Sequence, residues 1–204
     1  MMVLGVDLAL VRTGYAILDD GALVGSGVIV TTSRQPMSQR LLHIKESMGR
    51  LLSAQSIDLV GVETSETFQR RLADGAHSID SLAMARAAVL IACAELNVKV
   101  VLVAPGHVRW LVCGSMTASK LDVVAALRAR GFSLPLNKAS EVDLDVSDAL
   151  CVAVCVWCEQ RLAARIGKEA NYLSNGTISP PIVSIYRVEG AQMAGAAEEG
   201  KDGC

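Results

Sequence analysis

The sequence lacks any apolar run long enough to cross a membrane. Its longest apolar stretches, 87–94 and 149–158, are much shorter than the roughly 20 residues that a transmembrane helix requires. The opening MMVLGVD contains an acid and no basic residue, unlike a signal or transit peptide. We therefore expect a cytoplasmic protein without membrane contact. Its 204 residues, 51% of them hydrophobic, suffice for one well-buried core.

Histidines near the cysteines are also lacking. Four of the six cysteines lie within apolar helical patterns, where a thiol acts as a small hydrophobic side chain: Cys93, Cys151, Cys155 and Cys158. Cys155 and Cys158 form a C-x-x-C pair, but deep within a predicted helix rather than at the helix N-terminus that would lower a thiol pKa. None of the three histidines lies near this pair in sequence. We therefore expect reduced, structural thiols without a zinc or redox role.

An excess of basic residues is absent too. The net charge is −2, whereas nucleic-acid-binding proteins are usually basic. The part of the chain beyond residue 170 holds two of the basic residues and four of the acids, so the remainder is balanced. If several acids of that remainder bind a metal ion, its surface becomes net positive. DNA binding is then compatible with the composition.

Hydrophobic patterning predicts an α/β fold. Strands at 1–10, 13–19 and 22–32 come first, and Asp19-Asp20-Gly21 is a turn signal, so these strands form an antiparallel meander. Helices and strands then alternate. The helices are predicted at 38–55, 78–96 and 119–130 and from LDVSD to about 166, and the strands at 57–63 and 98–105. This order predicts a mixed five-stranded sheet, an antiparallel meander plus parallel strands, flanked by helices.

The end of the chain differs in composition from the rest. NGTISPP and EGAQMAGAAEEGKDG carry glycine, proline, alanine and acids without apolar periodicity, a composition that cannot bury a core. The short IVSIYRV between them is compatible with an edge strand. We predict one domain at 1–167 and a mobile C-terminal tail at 168–204.

Four carboxylates are predicted to converge at one edge of this sheet. Asp7 and Glu63 each end an apolar strand, and parallel neighbouring strands would place them side by side. A buried charge is costly unless it is paired or binds a cation. Asp145 and Asp148 share a helix face at i and i+3, although a capping Asp with a second Asp in the first turn is the ordinary alternative. Oxygen ligands at this density suit Mg²⁺ or Mn²⁺.

Four motifs, in this order, resemble the RuvC-type Holliday junction resolvases of the RNase H-like superfamily. They are GVDLALVRTGYAIL, LVGVE, APGHVRWLVCGSMTASK and DVSDALCVA, and the resemblance covers about 2–162. It implies an RNase H-like fold with Mg²⁺ as cofactor, for which Mn²⁺ can substitute. It also implies that the catalytic, metal-binding acids are Asp7, Glu63, Asp145 and Asp148.

Two positions within these motifs need comment. Relatives usually read D-P-G from the first Asp, where this chain has Leu8-Ala9 after Asp7. Asp143 competes with Asp145 as the third acid, and only the D-x-x-D spacing favours Asp145.

The resemblance also implies which residues bind DNA. Arg109 and Lys120 would lie near the cleaved strand, with Lys120 catalytic as well. A cation in the first turn of a helix opposes the helix dipole, a cost that a phosphate would offset, unless Lys120 is simply a solvated surface residue. Relatives insert an aromatic residue into the junction centre, and Phe68 beside Arg70 and Arg71 fits base stacking next to phosphate contacts. An ordinary polar loop with one apolar anchor is the alternative there.

The implied activity is that of a structure-selective endonuclease that hydrolyses phosphodiesters in four-way DNA junctions with symmetric nicks, using two metal ions. Two symmetric cuts require a C2 homodimer. Its expected interface is the Ala-rich face of 78–96, unless that face packs inside the monomer. The alternative is a catalytically silent or regulatory RNase H-like DNA-binding protein, which metal-dependent cleavage of a synthetic junction would distinguish.

Overall fold

The computed structural model describes residues 1–63, 76–170 and 184–186. The described strands are β1 Met2–Asp7, β2 Arg12–Asp19, β3 Ala22–Val30, β4 Leu59–Glu63, β5 Lys99–Val103 and β6 Ser184–Tyr186. The described helices are α1 Met37–Ala54, α2 Ala76–Glu95, α3 Pro105–Cys113, α4 Lys120–Ala129 and α5 Leu144–Ala170. None of these helices has the length and apolar character needed to span a membrane.

One mixed sheet, with strand order β3-β2-β1-β4-β5-β6, organises the fold. The first three strands pair antiparallel. β2 and β3 are joined through Asp20 and Gly21, whose φ values of 45° and 92° suit a two-residue hairpin. β4 then pairs parallel with β1, and β5 parallel with β4. The predicted meander plus parallel strands is confirmed.

β6 adds a sixth strand to the five that were predicted. It pairs antiparallel with β5, with Leu102 opposite Ser184, so part of IVSIYRV docks at the sheet edge. The rest of the predicted tail from 171 onward lies outside the described residues, and α5 continues past 167 to Ala170.

Helix α3 was missing from the predicted elements. It has only nine residues, with Pro105 in its first turn, and it ends before Gly114 at φ 75°. The N–H of Gly114 donates to the carbonyl of Trp110 at 2.7 Å. A proline at the start and a left-handed glycine at the end are the signals that identify such a short helix. α3 matters for function because it carries His107 and Arg109.

Helices cover both faces of the sheet. Because alternate strand residues point to opposite faces, Val3 belongs to the buried cluster that also contains residues of α3, α4 and α5, whereas Leu4 belongs to the cluster that contains residues of α1 and α2. Residues 149–156 of α5 are all buried. The central position of α5 explains its continuous apolar sequence.

Glycines let α5 lie directly on β1 and β2. A Cβ at Gly5 would be 2.2 Å from the carbonyl oxygen of Ala149, and one at Gly14 would be 2.1 Å from that of Asp145. Real side chains do not approach a backbone this closely, so any other residue would push the helix away from the sheet. The first turns of α5 therefore lie beside Asp7, which pairs with Gly14 in the sheet.

Replacing Gly5 by Ala should lower the free energy of unfolding by at least about 2 kcal/mol, because overpacking against backbone cannot be relieved by a side-chain rotation. Gly25→Ala is the matched control, since its Cβ would meet the Ile17 side chain at an ordinary 3.4 Å. Urea unfolding measures both. Equal effects of the two substitutions would show that α5 can move off the sheet at little cost.

Candidate metal centre

Asp7 and Glu63 end adjacent parallel strands. Val6 lies opposite Val62, so the next residue on each strand reaches the same sheet edge. Burial raises the pKa of both acids to about 7, and further increments come from Asp148 on Asp7 and from Asp7 on Glu63. Within the described part of the chain, neither carboxylate has a hydrogen-bond or ion-pair partner. These two acids therefore form an anionic pair at the ends of β1 and β4, with no cationic side chain of the described residues in direct contact.

Asp148 and Asp145 face this edge from α5, and each is paired with a cation. Asp148 Oδ2 lies 2.6 Å from Lys120 Nζ, and Asp145 Oδ2 lies 2.6 Å from Arg12 Nε. Arg12 also contacts Asp143 Oδ2 at 3.1 Å. Lys120 and Arg12 therefore offset the repulsion that the i, i+3 spacing implies. A metal ion was predicted for this purpose, and Arg12 was not among the predicted site residues.

Asp143, rather than Asp145, caps α5. The N–H of Asp145 donates to Asp143 Oδ1 at 3.2 Å, and the N–H of Ser147 donates to the Asp143 carbonyl at 3.0 Å. These are the contacts of an N-cap residue. The Asp145 carboxylate is left free of capping and contributes to the field that raises the pKa of Asp7. That Asp145 rather than Asp143 is the third acid stays a prediction.

The predicted basic residues also reach the acids. The capping box between Ser119 and Asp122 is present and fixes the start of α4, where Lys120 is the first residue. The hydrogen bond to Asp148 raises the pKa of Lys120. The charge of Lys120 opposes the raised pKa of both Asp7 and Glu63, and that of Arg109 opposes the raised pKa of Glu63. The predicted DNA contacts Phe68, Arg70 and Arg71 lie outside the described residues.

The turn after Asp7 is held by side chains even though D-P-G is replaced. Leu8 is buried in the core, and the Thr13 hydroxyl donates to the Ala9 carbonyl at 2.7 Å. The buried Arg40 donates to the Leu10 carbonyl at 3.2 Å. Threonine and arginine contacts thus fix the backbone after Asp7.

A second group of potential ligands lies elsewhere. Among the described residues, the three whose ligand atoms all lie within 4.8 Å of one another are His107, Cys155 and Glu159. The four predicted acids are not such a group within the described residues; Asp148 and Asp145 instead contact Lys120 and Arg12. The five described cysteines are free thiols, and the four that were predicted to be reduced are among them. No histidine lies near these thiols in sequence, but α3 packs on α5 and brings His107 close to Cys155.

Comparison with known proteins identifies the family. The model for "Crossover junction endodeoxyribonuclease RuvC" matches residues 3–156. This chain belongs to the RuvC family. The RuvC of Renibacterium salmoninarum is 35% identical over 159 residues, which cover 76% of this chain and 78% of that protein. The RuvC of Maricaulis maris is 32% identical over 172 residues, which cover 82% and 96%.

Solved structures of RuvC and a related resolvase share the fold. Thermus thermophilus RuvC, solved in complex with a Holliday junction substrate, superposes with a TM-score of 0.66 at 23% identity, over 82% of this chain and 96% of that one. The yeast mitochondrial Holliday junction resolvase Ydc2 superposes with a TM-score of 0.57 at 16% identity, over 83% and 82%. The predicted RNase H-like fold is confirmed.

Without metal, the protein should lose stability as the pH rises from about 5 to about 8. The pKa values of Asp7 and Glu63 lie near 7, above their ordinary 3.8 and 4.5, so the folded state keeps protons that the unfolded chain has already released. Ionising them on the way to neutral pH therefore costs folding free energy. Thermal unfolding in EDTA measures the decline. The Asp7→Asn/Glu63→Gln double variant should flatten it, and an unchanged slope would assign the pH dependence to other groups.

Proposed function

We propose that this chain is a divalent-metal-dependent endonuclease that resolves four-way DNA junctions by symmetric nicks. The observation that carries the proposal is the meeting of Asp7, Glu63 and Asp148, from three different elements, at one sheet edge. The names of its RuvC relatives, crossover junction endodeoxyribonucleases, support the same activity. The catalytically silent alternative gains no support from the site or the relatives. We also propose that this chain acts in the cytoplasm.

The donor set fits Mg²⁺, with Mn²⁺ able to substitute. Carboxylate oxygens are the ligands that both ions prefer, and burial of Asp7 and Glu63 without direct partners in the described chain leaves a need for positive charge. The residues that would hold the metal are Asp7, Glu63, Asp145 and Asp148. When bound, a pair of such ions supplies an activated water and stabilises the departing oxygen.

Lys120 has two roles in this proposal. In the free protein it neutralises Asp148. During hydrolysis its ammonium would donate to an oxygen of the scissile phosphate, where negative charge builds up. Arg109, on the neighbouring α3, would bind an adjacent phosphate and orient the strand.

We further propose a homodimer, since two symmetric cuts need two sites related by a two-fold axis. α2 is compatible with both readings of its Ala-rich sequence. Ala85 and Val89 are buried within the monomer, whereas Ile91 is exposed beside Leu42 of α1. The exposed side of α1 and α2 is therefore the proposed interface.

We also propose that 1–167 form the nuclease domain and that the tail is not needed for chemistry, because none of the proposed ligands lies in it.

Amide replacement of each acid tests the proposed site. Asp7→Asn, Glu63→Gln, Asp145→Asn and Asp148→Asn keep side-chain size but remove an anionic ligand. Each variant should bind a synthetic four-way junction yet cut it at least about a hundredfold more slowly, or roughly 2.7 kcal/mol in activation free energy. Single-turnover cleavage in Mg²⁺ gives the rates.

Asp143→Asn is the matched control, because asparagine caps a helix as well as aspartate does, and it should cut normally. Normal cutting by Asp145→Asn with failure of Asp143→Asn would reverse the assignment of the third acid. Full activity of Asp7→Asn or Glu63→Gln would refute the metal site.

Lys120→Ala should slow cleavage and reduce the salt dependence of junction binding by about 0.9 in the log–log slope, the value for one lost phosphate contact. Lys99→Ala is the control, because Lys99 is exposed at the start of β5, whereas the acids lie near the end of that strand. Binding titrations at several salt concentrations give the slopes. Identical slopes and rates for the two variants would make Lys120 a surface residue without a role in DNA binding.

A further inference from the structure

His107, Cys155 and Glu159 form a side-chain cluster that the proposed nuclease chemistry does not use. Cys155 and Glu159 are four residues apart on α5 and therefore share one face of that helix. His107 comes from the first turn of α3, and its Nε2 lies 2.5 Å from Glu159 Oε1. All three ligand atoms lie within 4.8 Å of one another.

The burial of Glu159 needs an explanation. Its side chain is only 9% exposed, and its Oε2 is buried with no hydrogen-bond partner among the described residues. An unsatisfied buried carboxylate oxygen is costly. Its neighbour Cys155 is completely buried and offers no strong donor. His107 thus contacts one oxygen of the Glu159 carboxylate, and the other oxygen is left without a partner among the described residues.

We propose that His107, Cys155 and Glu159 form a zinc-type transition-metal site, distinct from the carboxylate site at the sheet edge. A mixed set of nitrogen, sulfur and oxygen ligands suits Zn²⁺ or Co²⁺ rather than Mg²⁺. Three protein ligands leave one tetrahedral position for water or another small ligand. The His107 side chain, 30% exposed, provides the route by which an ion enters.

Binding requires a small rearrangement. Two ligands of a tetrahedral Zn²⁺, with bonds of about 2.0 to 2.1 Å, are roughly 3.3 Å apart, whereas His107 and Glu159 are 2.5 Å apart. The ion therefore replaces their hydrogen bond with two coordination bonds and increases the distance between the two atoms by about 0.8 Å. The proton of the Cys155 thiol is released to solvent when the thiolate binds the ion. The ring of His107 stacks on Trp110, with centroids 6.1 Å apart. This contact restricts the motion of the ring.

The two sites can be examined separately because they prefer different ions. Cys155 follows Asp148 by seven residues, about two helical turns or roughly 10 Å. Excess Mg²⁺ occupies carboxylates but competes poorly for a thiolate. Co²⁺ added under those conditions reports on the thiol site through its thiolate-to-cobalt charge-transfer absorption.

The experiment is a Co²⁺ titration of the reduced, full-length chain in excess Mg²⁺. We expect about one Co²⁺ per chain, with tetrahedral d–d bands and a charge-transfer band, all displaced by Zn²⁺. Cys155→Ser should abolish the charge-transfer band. His107→Gln and Glu159→Gln should weaken Co²⁺ binding at least about tenfold, and these two variants decide the matter if Cys155→Ser does not fold, as judged by circular dichroism.

Controls separate this site from other thiols and from the nuclease site. Cys93→Ser removes a buried thiol from the opposite face of the sheet and should leave the spectrum unchanged, as should Cys158→Ser. Asp7→Asn should also keep the spectrum, so failure of the nuclease proposal and failure of this one are distinguishable. Absence of the charge-transfer band in the folded wild type, or unchanged binding in both His107→Gln and Glu159→Gln, would overturn the proposal.

Discussion

The close approach of α5 to β1 and β2 determines where the acids of this protein lie. Gly5 and Gly14 remove the side chains that would hold the helix away, and the apolar residues of α5 from 149 to 156 fill the space between the sheet and the outer helices. Asp143 then fixes the helix start by capping it. Because α5 begins after Asp143 and packs directly on β1 and β2, Asp145 and Asp148 lie beside the end of β1, where Asp7 is.

This placement concentrates negative charge, and the protein manages that charge in two ways. The aspartates of α5 are neutralised by Lys120 and Arg12, whereas Asp7 and Glu63 lie next to one another with raised pKa values. Repulsion between these carboxylates is reduced by protonation or by a bound divalent cation. If a metal ion replaced Lys120 beside Asp148, metal binding would release the Lys120 ammonium, which could then contact a phosphate.

Much of this arrangement follows from local sequence. Asp7 and Glu63 each end a short apolar strand, and the rules of parallel strand connection place such ends together. The capping box at Ser119 and the D-x-x-D spacing on α5 can be predicted from sequence because the partner residues are three positions apart. These predictions needed only local geometry and one common crossover.

The contacts that sequence could not provide join distant parts of the chain. Arg12 and Asp145 are separated by 133 positions, and His107 and Glu159 by 52. Each pair depends on how α5 packs against the sheet or against α3, and α3 itself is too short for apolar periodicity to identify. Side-chain pairing across such packing is a tertiary property, which a single sequence does not encode in its spacing.

The central claim is that the acids from β1, β4 and α5 form one divalent-metal site. A crystal structure of the protein grown in Mn²⁺ tests it most directly, through the anomalous scattering of the bound ions. The account predicts Mn²⁺ in contact with Asp7 and Asp148, with the Lys120 ammonium displaced from the 2.6 Å contact it makes with Asp148. A sheet edge without Mn²⁺, with Lys120 still bonded to Asp148, would contradict it.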